Sequence, residues 1–256
     1  MSKLQQAFER LRKPQTPQIG FTPAPRERPK AMLLGVLARD REQASTALRA
    51  GADLVIIHTA DVAAATAVGR ELRDGKHPVG VWLPSIDGPA AAALVEAGVD
   101  FVACALEHVP AGVIDPDQLG LVVPFLDLDN VPDALLRALG PLEVDALLLK
   151  RPAGEFTLRQ QAELVRLATL SGVPLLVISG NGPSEAEVRA LRDSGAGALV
   201  LPEGSGTEEI AAAVELLRRV GPRKRSRREG AEIALVPALS ALHGHVHEEE
   251  DDEEEV

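Results

Sequence analysis

Aromatic residues are scarce in this chain. Its 256 residues include five Phe, one Trp and no Tyr. Sites that read single-stranded nucleic acid stack bases on such side chains, so the scarcity argues against a site of that kind. The hydrophobic 45% of the chain is instead mostly Leu, Val, Ile and Ala. A chain of this length and composition has enough apolar residues for one large core.

Cysteine and long apolar runs are lacking as well. Cys104 is the only cysteine, which excludes a disulfide within the chain. No apolar run approaches the roughly 20 residues that a membrane-spanning helix requires. The first residues, MSKLQQAFERLRKPQ, contain no apolar stretch typical of a secretory signal. We therefore expect a cytoplasmic protein that does not bind a membrane.

The negative charge is concentrated at the C-terminus. The formal net charge is −11, and residues 248–255 are eight consecutive acids, whose removal leaves −3 for the rest of the chain. The remaining balance predicts no surface for duplex nucleic acid. Three histidines precede the acidic run, and we predict no metal site there. The acidic block is expected to be disordered, because like charges cannot be buried together.

The chain divides into three predicted regions. Residues 1–30 contain a short helix, with Leu4, Phe8 and Leu11 on one face, and a proline-spaced connector. Residues 31–220 form the globular domain. Residues 221–256 run from the basic PRKRSRR to the acidic end. This tail offers an arm through which the protein would bind a protein partner.

Eight nearly continuous apolar runs divide the globular region. Such runs are typical of parallel strands that are covered on both faces. Amphipathic, helix-like segments separate them. Eight parallel strands alternating with helices predict an α/β fold, a closed (β/α)8 barrel with outer helices. The strand candidates are 31–38, 52–58, 78–83, 99–106, 120–126, 144–149, 173–179 and 197–201.

A weak repeat marks alternate strands. The segments AGADLV (50–55), AGVDFV (97–102) and LEVDALL (142–148) precede strands 2, 4 and 6. An aspartate at the start of a barrel strand lies at the face of the barrel that provides stability, away from the face that carries chemistry. We therefore interpret Asp53 and Asp100 as structural residues.

Polar residues at the ends of the strands are the candidates for function, because barrel enzymes place their active sites there. Asp40, Asp61 and Asp87 stand where helix N-caps belong, and we assign them that role. His58 and Glu107, at the ends of strands 2 and 4, are candidates for acid–base chemistry across the mouth. The alternative for this pair is a polar rim without catalytic function.

Two glycine-bearing turns follow strands 7 and 8. They are Ser179-Gly180-Asn181-Gly182 and, after Glu203, Gly204-Ser205-Gly206. Glycine lets a ligand approach the backbone, and a helix start adds a partial positive charge. We predict that these turns form a phosphate cup. Pro202 removes one amide donor and Glu203 adds a carboxylate, so the alternative is a pair of connecting turns.

The segment ISGNGPSEAEVRALRDSGAGALVL resembles the corresponding part of the ribulose-phosphate-binding and FMN-binding barrels of the TIM-barrel superfamily. Thiamine-phosphate synthase, indole-glycerol-phosphate synthase and nitronate monooxygenase are members. The resemblance covers this segment and its flanks, about 35 residues in all, and implies a phosphorylated small molecule or FMN as the ligand. The rival hypothesis is a barrel without catalytic activity that serves as a scaffold.

Lys150, at the end of strand 6, is a further catalytic candidate. A lysine desolvated in an apolar barrel mouth can form a Schiff base. Class I aldolases of the deoxyribose-phosphate and keto-deoxy-phosphogluconate types are similar here, because their Schiff-base lysine lies on strand 6. The alternative is a side chain that points outward and pairs with Glu155.

Overall fold

Eight parallel strands close into a barrel in the computed structural model, which describes residues 2–12, 29–73, 75–125, 131–152, 154–180 and 182–223. Each strand pairs with the next one along the chain, and β8 returns to pair with β1. The predicted (β/α)8 fold is therefore confirmed. The strands are β1 (Leu33–Ala38), β2 (Leu54–His58), β3 (Val79–Trp82), β4 (Phe101–Ala103), β5 (Gly120–Phe125), β6 (Ala146–Lys150), β7 (Leu175–Ile178) and β8 (Ala196–Leu201).

Helices surround the barrel. A short 3₁₀ helix, Leu106–His108, stands between β4 and β5, where the segment that follows contains Pro110, Gly112 and Pro116. Prolines at this spacing disfavour a longer helix. The α-helices are α1 (Lys3–Arg12), α2 (Arg41–Arg49), α3 (Val62–Leu72), α4 (Gly88–Glu96), α5 (Asp133–Leu139), α6 (Leu158–Ser171), α7 (Glu185–Asp193) and α8 (Thr207–Val220). None of those in the described part of the chain has the length and hydropathy of a membrane span.

The interior of the barrel is packed with side chains from alternate strand positions. Leu54 and Ile56 of β2 face inward, while Val55 and Ile57 belong to the layer under the helices. The ring of Phe101 occupies the space beside β3, where a Cβ atom on residue 80 would lie 2.1 Å from a ring carbon. Glycine is therefore required at position 80.

Helix α1 closes the N-terminal end of the barrel. Leu4 and Phe8 are buried in the interior cluster, and Leu11 packs against it, as the sequence predicts. Ser2 Oγ donates a 2.7 Å hydrogen bond to Asp145, and Gln5 donates a second. An isolated helix as short as α1 is marginally stable in water. These contacts hold it in a fixed position on the barrel.

The aspartates of the repeat are structural. Asp53 pairs with Lys30 and accepts the N–H of Leu34 at 2.8 Å. Asp100 accepts the N–H of Val79 at 2.8 Å. Both carboxylates therefore join the start of one strand to the strand beside it.

The predicted caps are also present. Asp40, Asp61 and Asp87 each accept a backbone N–H in the first turn of α2, α3 and α4. Ser184 begins α7 with a reciprocal capping box that includes Glu187. The connector prolines before residue 29 and the charged tail from residue 224 lie outside the described residues, so the predictions for the tail stay predictions.

Candidate functional site

Three large polar or aromatic side chains end strands at the mouth of the barrel. His58 ends β2, Trp82 ends β3 and Lys150 ends β6. The residues two and four positions before His58 in β2, and before Lys150 in β6, face the barrel interior. Trp82 packs against the same interior cluster. Because side chains alternate along a strand, all three point to the inner side. Lys150 lies across the barrel from His58, since β6 is four strands away from β2.

His58 binds a carboxylate from the loop after β8. Its Nδ1 lies 2.6 Å from Glu203 Oε1. The other oxygen of Glu203 accepts a 2.8 Å hydrogen bond from Arg39 Nε, in the loop after β1. These contacts, first the one with Arg39 and then the one with His58, hold the pKa of Glu203 below its usual value. The carboxylate is therefore ionised at neutral pH and bridges two basic side chains.

The imidazole of His58 also stacks on Trp82. The ring centroids lie 4.7 Å apart and the planes are inclined by 29°. The His58 side chain is 50% exposed, so the stacked ring remains accessible from the mouth. Contacts with Glu203 and Trp82 together set both the position and the plane of the ring.

Glu203 and Arg39 are the residues of this cluster that sequence reasoning missed as site residues. Arg39 directly follows β1 and Glu203 is the second residue after β8, but β8 and β1 become neighbours only when the barrel closes. Once closure is assumed, the ends of strands 8, 1 and 2 must adjoin, and that signal was available. The sequence predicts Glu107 as the acid–base partner of His58 across the mouth. Glu107 is exposed on the 3₁₀ helix after β4, and no hydrogen bond or ion pair joins it to His58 in the described structure.

Lys150 is exposed at the mouth. Neither an ion pair with Glu155 nor a hydrogen bond of its ammonium group occurs within the described ranges. The next residue, Arg151, is 8% exposed and binds Glu187 of the α7 capping box at 3.0 Å. The backbone N–H of Ser184 and then this contact with Arg151 lower the pKa of Glu187 below its usual value. Arg151 thus anchors the start of α7 beside β6.

The turn after β8 borders a cleft of about 380 Å³ between α2 and α8. Gly204 has φ +84°, a conformation that favours glycine. Gly206 is the N-cap of α8 and provides no side-chain hydrogen bond to the first amides of the helix. Ser205 Oγ donates to Pro202 O at 3.0 Å. The lining residues include Arg39, Gln43, Thr46, Gly204, Ser205 and Gly206.

The turn after β7 lies at a different cleft. Ser179 is buried and its N–H donates to Val200 O at 3.0 Å. Gly182 lines a cleft of about 320 Å³ between α7 and α8, and a Cβ atom at Gly180 or Gly182 would meet open space. Asn181 lies outside the described residues. The two predicted halves of the cup therefore border separate clefts in the described structure.

The chain matches no family model. No curated protein matches its sequence. Similar solved structures exist at low identity. One, described as "Structural study of Project ID" from Aquifex aeolicus VF5, is 14% identical with a TM-score of 0.59, over 86% of this chain and 100% of that one.

Two others are enzymes by description. A mutant tryptophan synthase alpha-subunit from the hyperthermophile Pyrococcus furiosus is 15% identical with a TM-score of 0.56, over 75% of this chain and 96% of that one. The HpcH/HpaI aldolase from Desulfitobacterium hafniense DCB-2 is 12% identical with a TM-score of 0.51, over 68% of this chain and 87% of that one. At such identities the comparisons show the fold alone: the chain is a TIM barrel.

Proposed function

We propose that this TIM barrel binds a phosphorylated small molecule in the cleft beside the turn after β8. The observation that carries the proposal is that Arg39 and the turn Gly204–Gly206, which leads into α8, line one cleft. Backbone amides at a helix start and an arginine are the groups that hold phosphate in many proteins. The volume, about 380 Å³, lies at the lower end of the range for ligand pockets. It favours a small phosphate ester over FMN, which carries the same phosphate on a larger molecule.

From the sequence, Glu203 is expected to repel a bound phosphate. Its contacts in the structure reduce that repulsion. Its carboxylate accepts a hydrogen bond from the Arg39 guanidinium and contacts the His58 imidazole, and these two groups offset its negative charge. The carboxylate of Asp40, which also borders the cleft, accepts the N–H of Gln43 as a cap.

Three glutamates limit the expected affinity. Glu42 lines the cleft itself. Glu208 and Glu209 occupy the first turn of α8, where they compete with a bound anion for the helix dipole. We therefore expect millimolar affinity for inorganic phosphate, with tighter binding of a phosphate ester that makes further contacts.

Thermal stabilisation by ligand tests the proposal. Inorganic phosphate at about ten times its Kd should stabilise the folded protein by about 1.4 kcal/mol, a Tm increase of about 3–5 °C for a domain of this size. Sodium chloride at equal ionic strength is the control. Arg39→Gln should remove most of the increase, while Arg189→Gln should retain it, because Arg189 lies on α7 and pairs with Glu185 of the same helix. If neither phosphate nor a set of small phosphate esters raises the Tm of the wild type, the proposal fails.

A further inference from the structure

We propose that His58 and Glu203 form a proton-transfer pair at the mouth of the barrel. In this pair His58 Nε2 takes up and returns a proton of the substrate. Glu203 is a positioning residue that acts through the imidazole, and Arg39 holds Glu203 in place. The pair links the end of β2 to the loop after β8, and its two residues are 145 positions apart in the chain.

The hydrogen bonds select one tautomer of His58. An ionised carboxylate has only acceptor sites, so at 2.6 Å from Glu203 Oε1 it is the Nδ1 of His58 that must donate. Arg39 keeps Glu203 ionised by donating to its second oxygen. In the neutral ring Nε2 then carries no proton and is the basic nitrogen.

The surroundings leave that nitrogen available to a ligand. Trp82 fixes the plane of the ring by stacking, and His58 Nε2 has no hydrogen-bond partner within the described ranges. Among the described residues, Glu203 contacts this ring, Arg39 contacts Glu203, and Lys150 ends β6 on the opposite wall. Asp61, in the loop after β2, uses its carboxylate to cap α3.

The chemistry requires no additional reactant. His58 Nε2 accepts a proton from a C–H or O–H group, and the electron pair of the broken bond remains on the substrate. Glu203 stabilises the imidazolium, which then returns the proton to the substrate or to a leaving group. Arg39 joins the two sites, since it binds Glu203 and lines the cleft. The substrate class, a small phosphorylated molecule with an acidic proton, rests on the proposed function, but the pair itself does not.

Two measurements without phosphate test the pair. The first is the ¹⁵N spectrum of the His58 ring at high pH, where we expect a protonated Nδ1 and an unprotonated Nε2. Glu203→Leu should abolish this preference. Glu155→Leu, which removes an exposed glutamate after β6, should keep it. A proton on Nε2 in the wild type would overturn the proposal, and this result needs no variant to fold.

The second measurement separates a reactive histidine from one that is only structural. Diethyl pyrocarbonate modifies unprotonated imidazole nitrogens, and peptide mapping reports the rate at each histidine. At a pH high enough that the ring is unprotonated in both proteins, His58 should react at least about fivefold faster in the wild type than in Glu203→Leu, because the charge-assisted hydrogen bond at Nδ1 makes Nε2 of the neutral ring more nucleophilic. Glu203→Asp, which retains a carboxylate, should restore part of the rate. Equal rates at His58 in the wild type and in Glu203→Leu would refute the pair, whatever the phosphate titration shows.

Discussion

The substitution Gly206→Asp separates the stability of the barrel from its proposed anion binding. Gly206 is the N-cap of α8 with φ −78° and ψ 164°, a conformation open to any residue, and a Cβ atom there would meet nothing within 4 Å. An N-cap aspartate accepts an N–H of the first turn, which gains a few tenths of a kcal/mol over glycine. The free energy of unfolding should therefore stay within about 0.5 kcal/mol of wild type.

The same substitution should weaken phosphate binding strongly. It places a carboxylate within about 4 Å of the amides that would hold the anion, where two like charges repel by about 1–4 kcal/mol. The Kd for phosphate should rise by a factor of about five or more. Isothermal titration calorimetry gives the Kd, and urea unfolding gives the stability.

Gly182→Asp is the matched control. It adds the same charge in the turn after β7, where a Cβ atom also meets open space, but it lies at the other cleft. Phosphate binding should be nearly unchanged. If Gly206→Asp retains wild-type affinity, or if Gly182→Asp loses it, the turn after β8 is not the binding site.

Two further predictions concern the barrel itself. Gly80→Ala should lower the free energy of unfolding by about 1–3 kcal/mol in urea titrations, because its methyl group overlaps the ring of Phe101. Burial raises the pKa of Asp145 above 3.8 despite hydrogen bonds from Ser2 and Gln5. The buried carboxyl group of Asp145 therefore contributes to the free energy of unfolding in its protonated form. This contribution is complete below pH 3.8 and is lost as the pH rises through the folded-state pKa. Asp145→Asn should flatten this part of the pH–stability curve; an unchanged curve would contradict the assignment.

Sequence reasoning succeeded wherever the interaction is local. Asp40, Asp61 and Asp87 cap helices that begin at the next residue, and each accepts an N–H two or three residues further on. Leu4 and Phe8 share a face because residues four apart on a helix are neighbours. The apolar runs identified all eight strands, although β4 is shorter than its run, which extends to the first residue of the 3₁₀ helix.

The candidate site is formed by contacts between residues that are far apart in the sequence. Glu203 follows an apolar strand and precedes a glycine turn, which by itself indicates a charge beside a phosphate cup. Its actual partners, Arg39 and His58, are 164 and 145 residues away. A closed barrel brings these strand ends together, but no local pattern indicates that these side chains form hydrogen bonds. The direction of the carboxylate follows from the hydrogen bonds available after closure.

The sequence by itself determined the parallel barrel, the helix starts and the structural aspartates, because each follows from hydrophobic pattern or from hydrogen bonds over a few residues. Tertiary structure alone decided which side chains pair at the ends of the strands. Closure of β8 onto β1 brings Glu203 to Arg39 and His58. The packing of α8 places the turn after β8 beside α2 and the turn after β7 at another cleft. Where a loop turns after its strand depends on what packs against it, and those neighbours come from distant parts of the chain.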